Sequence, residues 1–269
     1  MAATDKAFTG SIPTIYERYM VPFNFAPYAE DMARRVAAAA PRDVLEIAAG
    51  TGALTVELLR QLPRDTAITA TDLNQAMLDV AAAKLPSGAV TLRACDAMQL
   101  PFPPQGFDAV ACQFGAMFLP DKLAGYRGIR RVLREGGRFF FSVWDDLDSN
   151  VLSAVVADAI AKSFPHDPPD FFRRVPFGYN DAAAITATLR DAGFGQVRAE
   201  TVTLPSRAPS AEDVAIAICQ GTPLRNEIEK RDAGRLADVT ERARQAVEAS
   251  YGKGPVEGPM QAIVFEAVA

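Results

Sequence analysis

VLEIAAGTG, residues 44–52, is the stretch that decides the fold. An apolar run of strand-forming residues ends in a turn with two glycines, Gly50 and Gly52, and a helical pattern follows at once. This order places free backbone N–H groups at the carboxyl edge of a parallel sheet. Nucleotide-like ligands bind at that edge in open α/β sheets. The stretch therefore predicts a cofactor site, and Glu46 within it limits which cofactor can bind.

The rest of the chain repeats the alternation of strand and helix. The predicted strands are 44–49, 67–72, 90–96, 107–114, 138–144, 197–205 and 262–269, and the predicted helices are 29–40, 53–62, 74–85, 121–134, 151–164, 181–193 and a long polar stretch at 211–250. Strands that are apolar throughout, with helices between them, are typical of a parallel sheet covered on both faces. We expect one domain over 1–269, with an N-terminal arm at 1–30. Helical or lid insertions are expected at 145–180 and 206–258.

Composition and charge argue against several classes of protein. The 269 residues carry a net charge of −5, and 49% are hydrophobic. Binding to nucleic acid without sequence preference requires a basic surface, so we expect no nucleic-acid partner. No apolar run reaches the roughly 18 residues of a membrane span, and the N-terminus lacks a secretory-signal pattern. We therefore expect a cytoplasmic protein without a membrane span, in which the three well-separated cysteines stay reduced.

Two acidic residues distinguish between cofactors. Asp72 ends the second predicted strand, where an acidic side chain accepts hydrogen bonds from the ribose hydroxyls of an adenosine. A dinucleotide fingerprint, G-x-G-x-x-G, would need a third glycine at the position of Thr55. The Glu46 carboxylate would repel a pyrophosphate, whereas it would attract the ammonium and sulfonium groups of S-adenosylmethionine. An ion pair between Glu46 and a nearby arginine is the alternative, because a buried carboxylate needs a partner.

The chain resembles the class I S-adenosylmethionine-dependent methyltransferases, and most closely the branch that acts on small molecules and quinones. The segments that carry the resemblance are VLEIAAGTG, ATDLNQAML, RACDAMQLPF, FDAVACQFGAMFLPD and VLREGGRFFFSVW. It covers residues 12–145 strongly and the final strands more weakly. The resemblance implies a Rossmann-like, doubly wound, mostly parallel α/β sheet of seven strands, with an antiparallel last strand and helical cap insertions.

The same resemblance assigns contacts with the cofactor, S-adenosylmethionine. The residues are Glu46, Ala48, Gly50 and Gly52 at the methionine end, Asp72 at the ribose, Leu73 and Met77 against the adenine, Asp96 and Ala97 at the adenine amino group, Gln113 and Phe114 beside the transferring methyl group, and Tyr16, Tyr19 and Met20 in the arm over the cofactor. The alternatives are core packing for Met77 and Phe114, turn capping for Asp96, and plain helix packing for the arm residues.

The resemblance implies transfer of a methyl group to a small apolar or aromatic acceptor by in-line displacement. The N-terminal arm, residues 114–118 and segment 145–180 are expected to wall the acceptor pocket, and their aromatic residues favour an apolar partner. We assign no catalytic base, since His166, the only histidine, fits a surface position better than a catalytic one, and we expect no metal. An NAD(P)-dependent oxidoreductase and a non-catalytic module that binds S-adenosylmethionine are the alternative functions. We expect a monomer or a homodimer.

Overall fold

A computed structural model of the chain describes residues 3–269, and its strands form one seven-stranded sheet with the order β3-β2-β1-β4-β5-β7-β6. The strands are β1 Asp43–Ile47, β2 Ala67–Asp72, β3 Thr91–Ala94, β4 Phe107–Gln113, β5 Leu133–Trp144, β6 Val197–Ala208 and β7 Val256–Val268. The α-helices are α1 Ile12–Ile15, α2 Ala26–Ala38, α3 Ala53–Gln61, α4 Gln75–Lys84, α5 Lys122–Val132, α6 Val151–Ser163, α7 Phe171–Arg174, α8 Ala182–Asp191, α9 Ala211–Gln220, α10 Leu224–Arg231 and α11 Leu236–Tyr251. Residues Tyr16–Phe25 form a π-helix, and short 3₁₀ helices lie at Ala3–Lys6, Ala97–Gln99 and Ala116–Phe118.

The first five strands of the chain run parallel. β1 pairs with β2 and β4, β2 pairs with β3, and β4 pairs with β5, all in parallel register. β7 runs the other way beside β5, because Gly136 N donates to Ala269 O and Asp145 N donates to Gln261 O. The predicted fold class, including the antiparallel last strand, is confirmed.

Side chains on β5 show how the sheet is covered on both faces. Phe140 belongs to an apolar cluster with α2 and α3 on one face of the sheet. Phe139 and Phe141 point to the opposite face, because successive side chains of a strand alternate. There the Phe139 and Phe141 rings stack with centroids 4.6 Å apart, and Phe141 stacks on Phe265 at 4.7 Å. Burial on both faces explains why this strand is apolar throughout.

The predicted helical stretch at 211–250 is divided into three helices, α9, α10 and α11. The first break falls at Gly221 and Pro223, and proline lacks the N–H that would continue a helix. The second break is a turn in which Asp232 Oδ1 accepts a hydrogen bond from Gly234 N at 3.0 Å. Both breaks contain residues that commonly form turns. They were not predicted because the polar periodicity of a helix continues through them.

The described chain divides into two compact units. One unit contains the N-terminal segment as far as Pro27, together with Trp144–Tyr179 and Thr203–Gln261, and in it α11 packs against α6 and α9. The other unit contains Tyr28–Val143, Asn180–Val202 and Ala262–Ala269. The single domain expected over 1–269 stays a prediction. No helix within residues 3–269 combines the length and the apolar character required to cross a bilayer.

Candidate cofactor site

The turn between β1 and α3 depends on two glycines with positive φ. Gly50 has φ +57° and Gly52, the N-cap of α3, has φ +81°. An ordinary residue pays about 1 kcal/mol or more for this left-handed conformation, whereas glycine adopts it freely. Gly50 N donates a hydrogen bond to Asp72 Oδ2 at 2.8 Å. The glycine turn is therefore tied to the end of the neighbouring strand β2.

Asp72 is the acidic residue at the end of β2, and its side chain is 8% exposed. Besides the bond from Gly50, its Oδ1 accepts a hydrogen bond from Asn74 N at 2.8 Å. Burial raises the pKa of Asp72 above its usual value, although the hydrogen bonds from the backbone of Asn74 and Gly50 oppose this. The Asn74 side-chain amide, 3.4 Å from Oδ1, and the backbone of Leu73 also hydrogen-bond to this carboxylate. The next residue, Leu73, is 48% exposed and offers an apolar surface beside it.

Glu46 is the most unusual group at this edge of the sheet, because its carboxyl group is buried without a cation. The residue is 1% exposed, and its Oε2 accepts a hydrogen bond from Thr55 Oγ1 at 2.6 Å. Within residues 3–269 Glu46 makes no ion pair, and no hydrogen bond reaches its other oxygen, Oε1. The expected alternative, an ion pair with an arginine, is therefore wrong for the described chain. Burial raises the pKa of Glu46 to about 8, the negative charge of Asp72 adds to this, and the bond from Thr55 opposes it.

The turn after β4 lies directly on the turn after β1. A Cβ atom placed on Gly115 would lie 2.4 Å from Ala48 Cβ and 2.8 Å from Cys112 Sγ, so only glycine fits. Ala48 and Phe114 both have φ +53°, which is unusual for residues other than glycine. Local strain of this kind persists only where the surrounding structure holds it. The exits of β1 and β4 are therefore packed together as one rigid wall.

The end of β3 completes the row of strand ends. Cys95 N donates to Asp72 O at 3.0 Å, which ties β3 to β2. Asp96 is the N-cap of the 3₁₀ helix Ala97–Gln99, and its Oδ1 accepts a hydrogen bond from Met98 N at 2.9 Å. The alternative of turn capping is thus observed for Asp96. The role assigned to Asp96 and Ala97 at the adenine stays a prediction.

Three other predicted contacts have packing partners in the structure. Met77 is buried, and its Cε would lie 3.5 Å from a Cβ atom on Gly50. The buried ring of Phe114 meets the edge of the Tyr28 ring, with centroids 5.3 Å apart. Gln113, half-buried, is the last residue of β4. These positions lie beside the glycine turn or at the β4 exit, and their contacts with a cofactor stay predictions.

Tyr16, Tyr19 and Met20 lie in the π-helix Tyr16–Phe25, in the compact unit that does not contain the strand ends described above. The Tyr16 ring packs on Phe25 with centroids 5.1 Å apart, and Met20 is buried. Their expected placement over the cofactor stays a prediction.

Several residues of the site were missed by sequence reasoning. Thr55 was noted only as the residue that replaces a third glycine, yet its hydroxyl contacts Glu46. Gly115 was not distinguished from other glycines, although Ala48 lies against it. Thr51 is buried between the two turn glycines, and within residues 3–269 its Oγ1 has no hydrogen-bond partner. The signal available in the sequence was the presence of two polar threonines where an apolar helix begins.

The geometry fits a cationic, phosphate-free adenosine conjugate. Glu46 presents a buried acidic group that makes no ion pair within residues 3–269, Asp72 adds a second carboxyl group at the end of β2, and exposed Leu73 follows it. A pyrophosphate would require positive charge where the structure has two carboxyl groups. In the described part of the chain no group of three or more histidine, cysteine, aspartate or glutamate side chains could hold a metal ion. The fold is the one that the resemblance to class I methyltransferases implies, and this edge is where nucleotide-like ligands bind in open α/β sheets.

Comparison with known proteins agrees with this class. Residues 44–137 match the sequence family described as "Methyltransferase domain". The demethylmenaquinone methyltransferase of Deinococcus radiodurans is 36% identical over 129 residues, which cover 45% of this chain and 53% of the relative. The chain thus spans about half the length of the curated relatives it matches. The predicted resemblance to methyltransferases is confirmed.

Solved structures agree at the level of the fold. A S-adenosylmethionine-dependent methyltransferase of Thermotoga maritima has a TM-score of 0.57 at 18% identity, with coverage of 100% of this chain and 99% of that one. Phosphoethanolamine N-methyltransferase 2 of Haemonchus contortus, solved with S-adenosylhomocysteine, has a TM-score of 0.63 at 16% identity, with coverage of 100% and 61%. The predicted enzyme class, a methyltransferase, and the predicted cofactor, S-adenosylmethionine, agree with these findings.

Proposed function

We propose that the protein is a S-adenosylmethionine-dependent methyltransferase that acts on a small apolar or aromatic molecule. The observation that carries the proposal is the buried Glu46 carboxyl group, which has no cation of its own within residues 3–269. Keeping an acidic group in this state costs free energy unless a positive ligand uses it. The ammonium group at the methionine end of the cofactor is such a ligand.

Each residue at the strand ends binds a different part of the cofactor. Glu46 attracts the ammonium group, and Asp72 accepts hydrogen bonds from the ribose hydroxyls. Leu73 and Met77 contact the adenine, and Asp96 and Ala97 read its amino group. Ala48, Gly50 and Gly52 bring the backbone close to the methionine end, while Gln113 and Phe114 flank the reacting methyl group. Tyr16, Tyr19 and Met20 shield the cofactor from solvent.

When bound, the cofactor supplies a methyl group activated by its sulfonium. The contribution of the chain is then positioning and exclusion of water, which supply much of the acceleration in a displacement of this kind. The packed exits of β1 and β4 suit this purpose, because Gly115 and Ala48 leave little room for movement. A rigid wall holds the reacting groups in one geometry.

Aromatic side chains in the unit with the π-helix support an apolar acceptor. The Phe25 ring lies 5.8 Å from the Trp144 ring, Trp144 lies 6.0 Å from Phe177, and Phe177 lies 5.6 Å from Phe172. Rows of aromatic rings are typical of sites for flat apolar molecules. The name of the Deinococcus relative, a demethylmenaquinone methyltransferase, makes quinols the first class of acceptor to test. We propose that the enzyme works in the cytoplasm, as a monomer or a homodimer.

Transfer of a labelled methyl group tests the proposed function. The purified chain is incubated with methyl-labelled S-adenosylmethionine and separately with a quinol, a phenol and an amine. We expect labelled product with the quinol or the phenol, and none when Asp72→Asn replaces the wild type. Binding of the cofactor without transfer to any acceptor would favour a non-catalytic module, and binding of NADH in its place would favour an oxidoreductase.

A further inference from the structure

Thr55 supplies the hydrogen bond that the Glu46 carboxyl group receives. Thr55 lies in the first turn of α3, is fully buried, and donates from Oγ1 to Glu46 Oε2 at 2.6 Å. A hydrogen bond this short to a carboxyl group fixes the orientation of its plane. Because Oε2 is engaged, Oε1 is the oxygen left to face a ligand. The carboxyl group therefore has one oxygen bound to Thr55 and one oxygen, Oε1, that is left for its proton or for a ligand.

The charged and titratable groups around Glu46 come from three other elements. Asp72 at the end of β2 disfavours a second negative charge, and Lys84 on α4 favours it. Burial raises the pKa of the Cys112 thiol on β4 to about 12, and the charge of Glu46 contributes to this. The thiol therefore stays neutral near pH 7. Burial of Glu46 itself outweighs these influences and raises its pKa to about 8. Without a ligand, Glu46 holds its proton at neutral pH.

We propose that Thr55 is a positioning residue that holds Glu46 for the cationic end of the cofactor, and that binding of this end releases the carboxyl proton of Glu46 to solvent. The inference rests on the proposed function. The O–H bond of the carboxyl group breaks, the proton leaves with water, and the ammonium group of the ligand compensates the charge that remains. Cofactor affinity then rises with pH, and the Thr55 hydroxyl lowers the pH at which it rises.

Replacement of Thr55 by valine isolates the hydroxyl, because valine keeps the volume and loses the donor. A hydrogen bond to a charged group stabilises the charged form, and one pKa unit corresponds to a tenfold change in affinity. Thr55→Val should therefore move the rise in affinity to higher pH by about one unit and weaken binding at pH 7 about tenfold. Thr55→Ser, which restores the donor, should return the midpoint toward that of the wild type.

Thr71 offers a matched control. Its buried hydroxyl contacts the same residue, but it donates to the backbone oxygen of Glu46 at 3.0 Å and not to the carboxyl group. Thr71→Val removes an equally buried hydroxyl one strand away. We expect it to leave the pH midpoint of binding unchanged, whatever it does to stability.

Calorimetric titration with S-adenosylhomocysteine tests the inference. The full-length wild type and variants are titrated from pH 6 to pH 9, at each pH in two buffers with different ionisation enthalpies. For the wild type we expect affinity to rise up to tenfold per pH unit below pH 8. The wild type should also release about one proton more at pH 7 than Glu46→Gln does. Titration of the free ligand's amino group is common to all variants and cancels in the comparison.

The outcomes separate the inference from the proposed function. Equal pH midpoints for the wild type and Thr55→Val, or equal proton release by the wild type and Glu46→Gln, would overturn the inference while the cofactor still binds. Absence of S-adenosylhomocysteine binding at every pH would overturn both. If Thr55→Val is unfolded by circular dichroism, the difference in proton release between the wild type and Glu46→Gln decides the matter.

Discussion

The acidic side chains at the two edges of the sheet differ in their ion pairs and in the direction of their pKa shifts. At the amino edge, Arg134 Nη1 donates to Asp108 Oδ1 at 2.5 Å and to Asp43 Oδ2 at 2.9 Å. Partial burial raises the pKa of Asp108, but the bond from Arg134 and the backbone N–H groups of Arg42 and Asp43 outweigh it and lower the pKa below its usual value. At the carboxyl edge, Glu46 has no ion pair within residues 3–269, and its pKa is raised.

This contrast separates structural acidic residues from those held for a ligand. The amino edge even has a cleft of about 420 Å³, lined by Asp108, Arg134 and the glycine pair Gly136 and Gly137. Its acidic groups already form ion pairs, so no charged ligand is needed to compensate their charge. An acidic group kept buried without an ion pair is costly to stability, and groups of this kind cluster at functional sites.

Replacing Asp72 should have the largest effect. Asp72→Asn loses the charge that strengthens hydrogen bonds to ribose hydroxyls, and it disturbs the bond from Gly50 N. We expect affinity for S-adenosylhomocysteine to fall at least about a hundredfold, measured by calorimetry. A fall of less than tenfold in a folded variant would remove Asp72 from the site.

Glu46→Gln should stabilise the ligand-free protein while it weakens cofactor binding. Because the folded pKa of Glu46, about 8, lies above the ordinary 4.5, the folded state binds more protons between these values than the unfolded state. The stability that Glu46 contributes is complete below pH 4.5 and is lost as the pH rises to 8. The wild type should therefore lose roughly 1 kcal/mol of unfolding free energy per pH unit relative to Glu46→Gln across this window. Urea unfolding at pH 5, 6.5 and 8 measures this difference, and parallel curves would contradict the account.

Gly115→Ala tests the rigid wall between the β1 and β4 exits. The new methyl group would overlap Ala48 and Cys112, and overpacking of this kind costs about 1–3 kcal/mol. We expect both the free energy of unfolding and cofactor affinity to fall. Gly128→Ala is the control, because nothing lies within 4 Å of its added Cβ atom in the interior of α5. That control should be neutral or slightly stabilising. A similar loss of unfolding free energy and affinity in both variants would show that the close contact at Gly115 is not the cause.

Arg134→Ala at the amino edge should have the smallest effect. Its side chain is 40% exposed, and exposed ion pairs contribute less than about 1 kcal/mol. Thermal unfolding should show a small loss that shrinks in high salt, while affinity for S-adenosylhomocysteine stays unchanged. A marked loss of affinity would show that the two edges are not independent.

The sequence was informative where local patterns carry the structure. Glycine spacing and the apolar run predicted the β1–α3 turn and the position of Asp72 at the end of β2, but not the hydrogen bond from Gly50 N to Asp72. Thr55 and Gly115 were not predicted, because their roles depend on distances between atoms far apart along the chain. The division of 211–250 into α9, α10 and α11 was missed for a different reason. There the helical periodicity continues through Gly221 and Pro223, and turn residues had to be weighed against it.

A ligand without its cation shows whether Glu46 marks a site for a cation. Binding of S-adenosylhomocysteine is compared with that of its analogue lacking the amino group, in the wild type and in Glu46→Gln, at pH 8.5. We expect the wild type to prefer the amino compound by about tenfold or more, and Glu46→Gln to show little preference. Equal affinity of the wild type for the two compounds would contradict the claim.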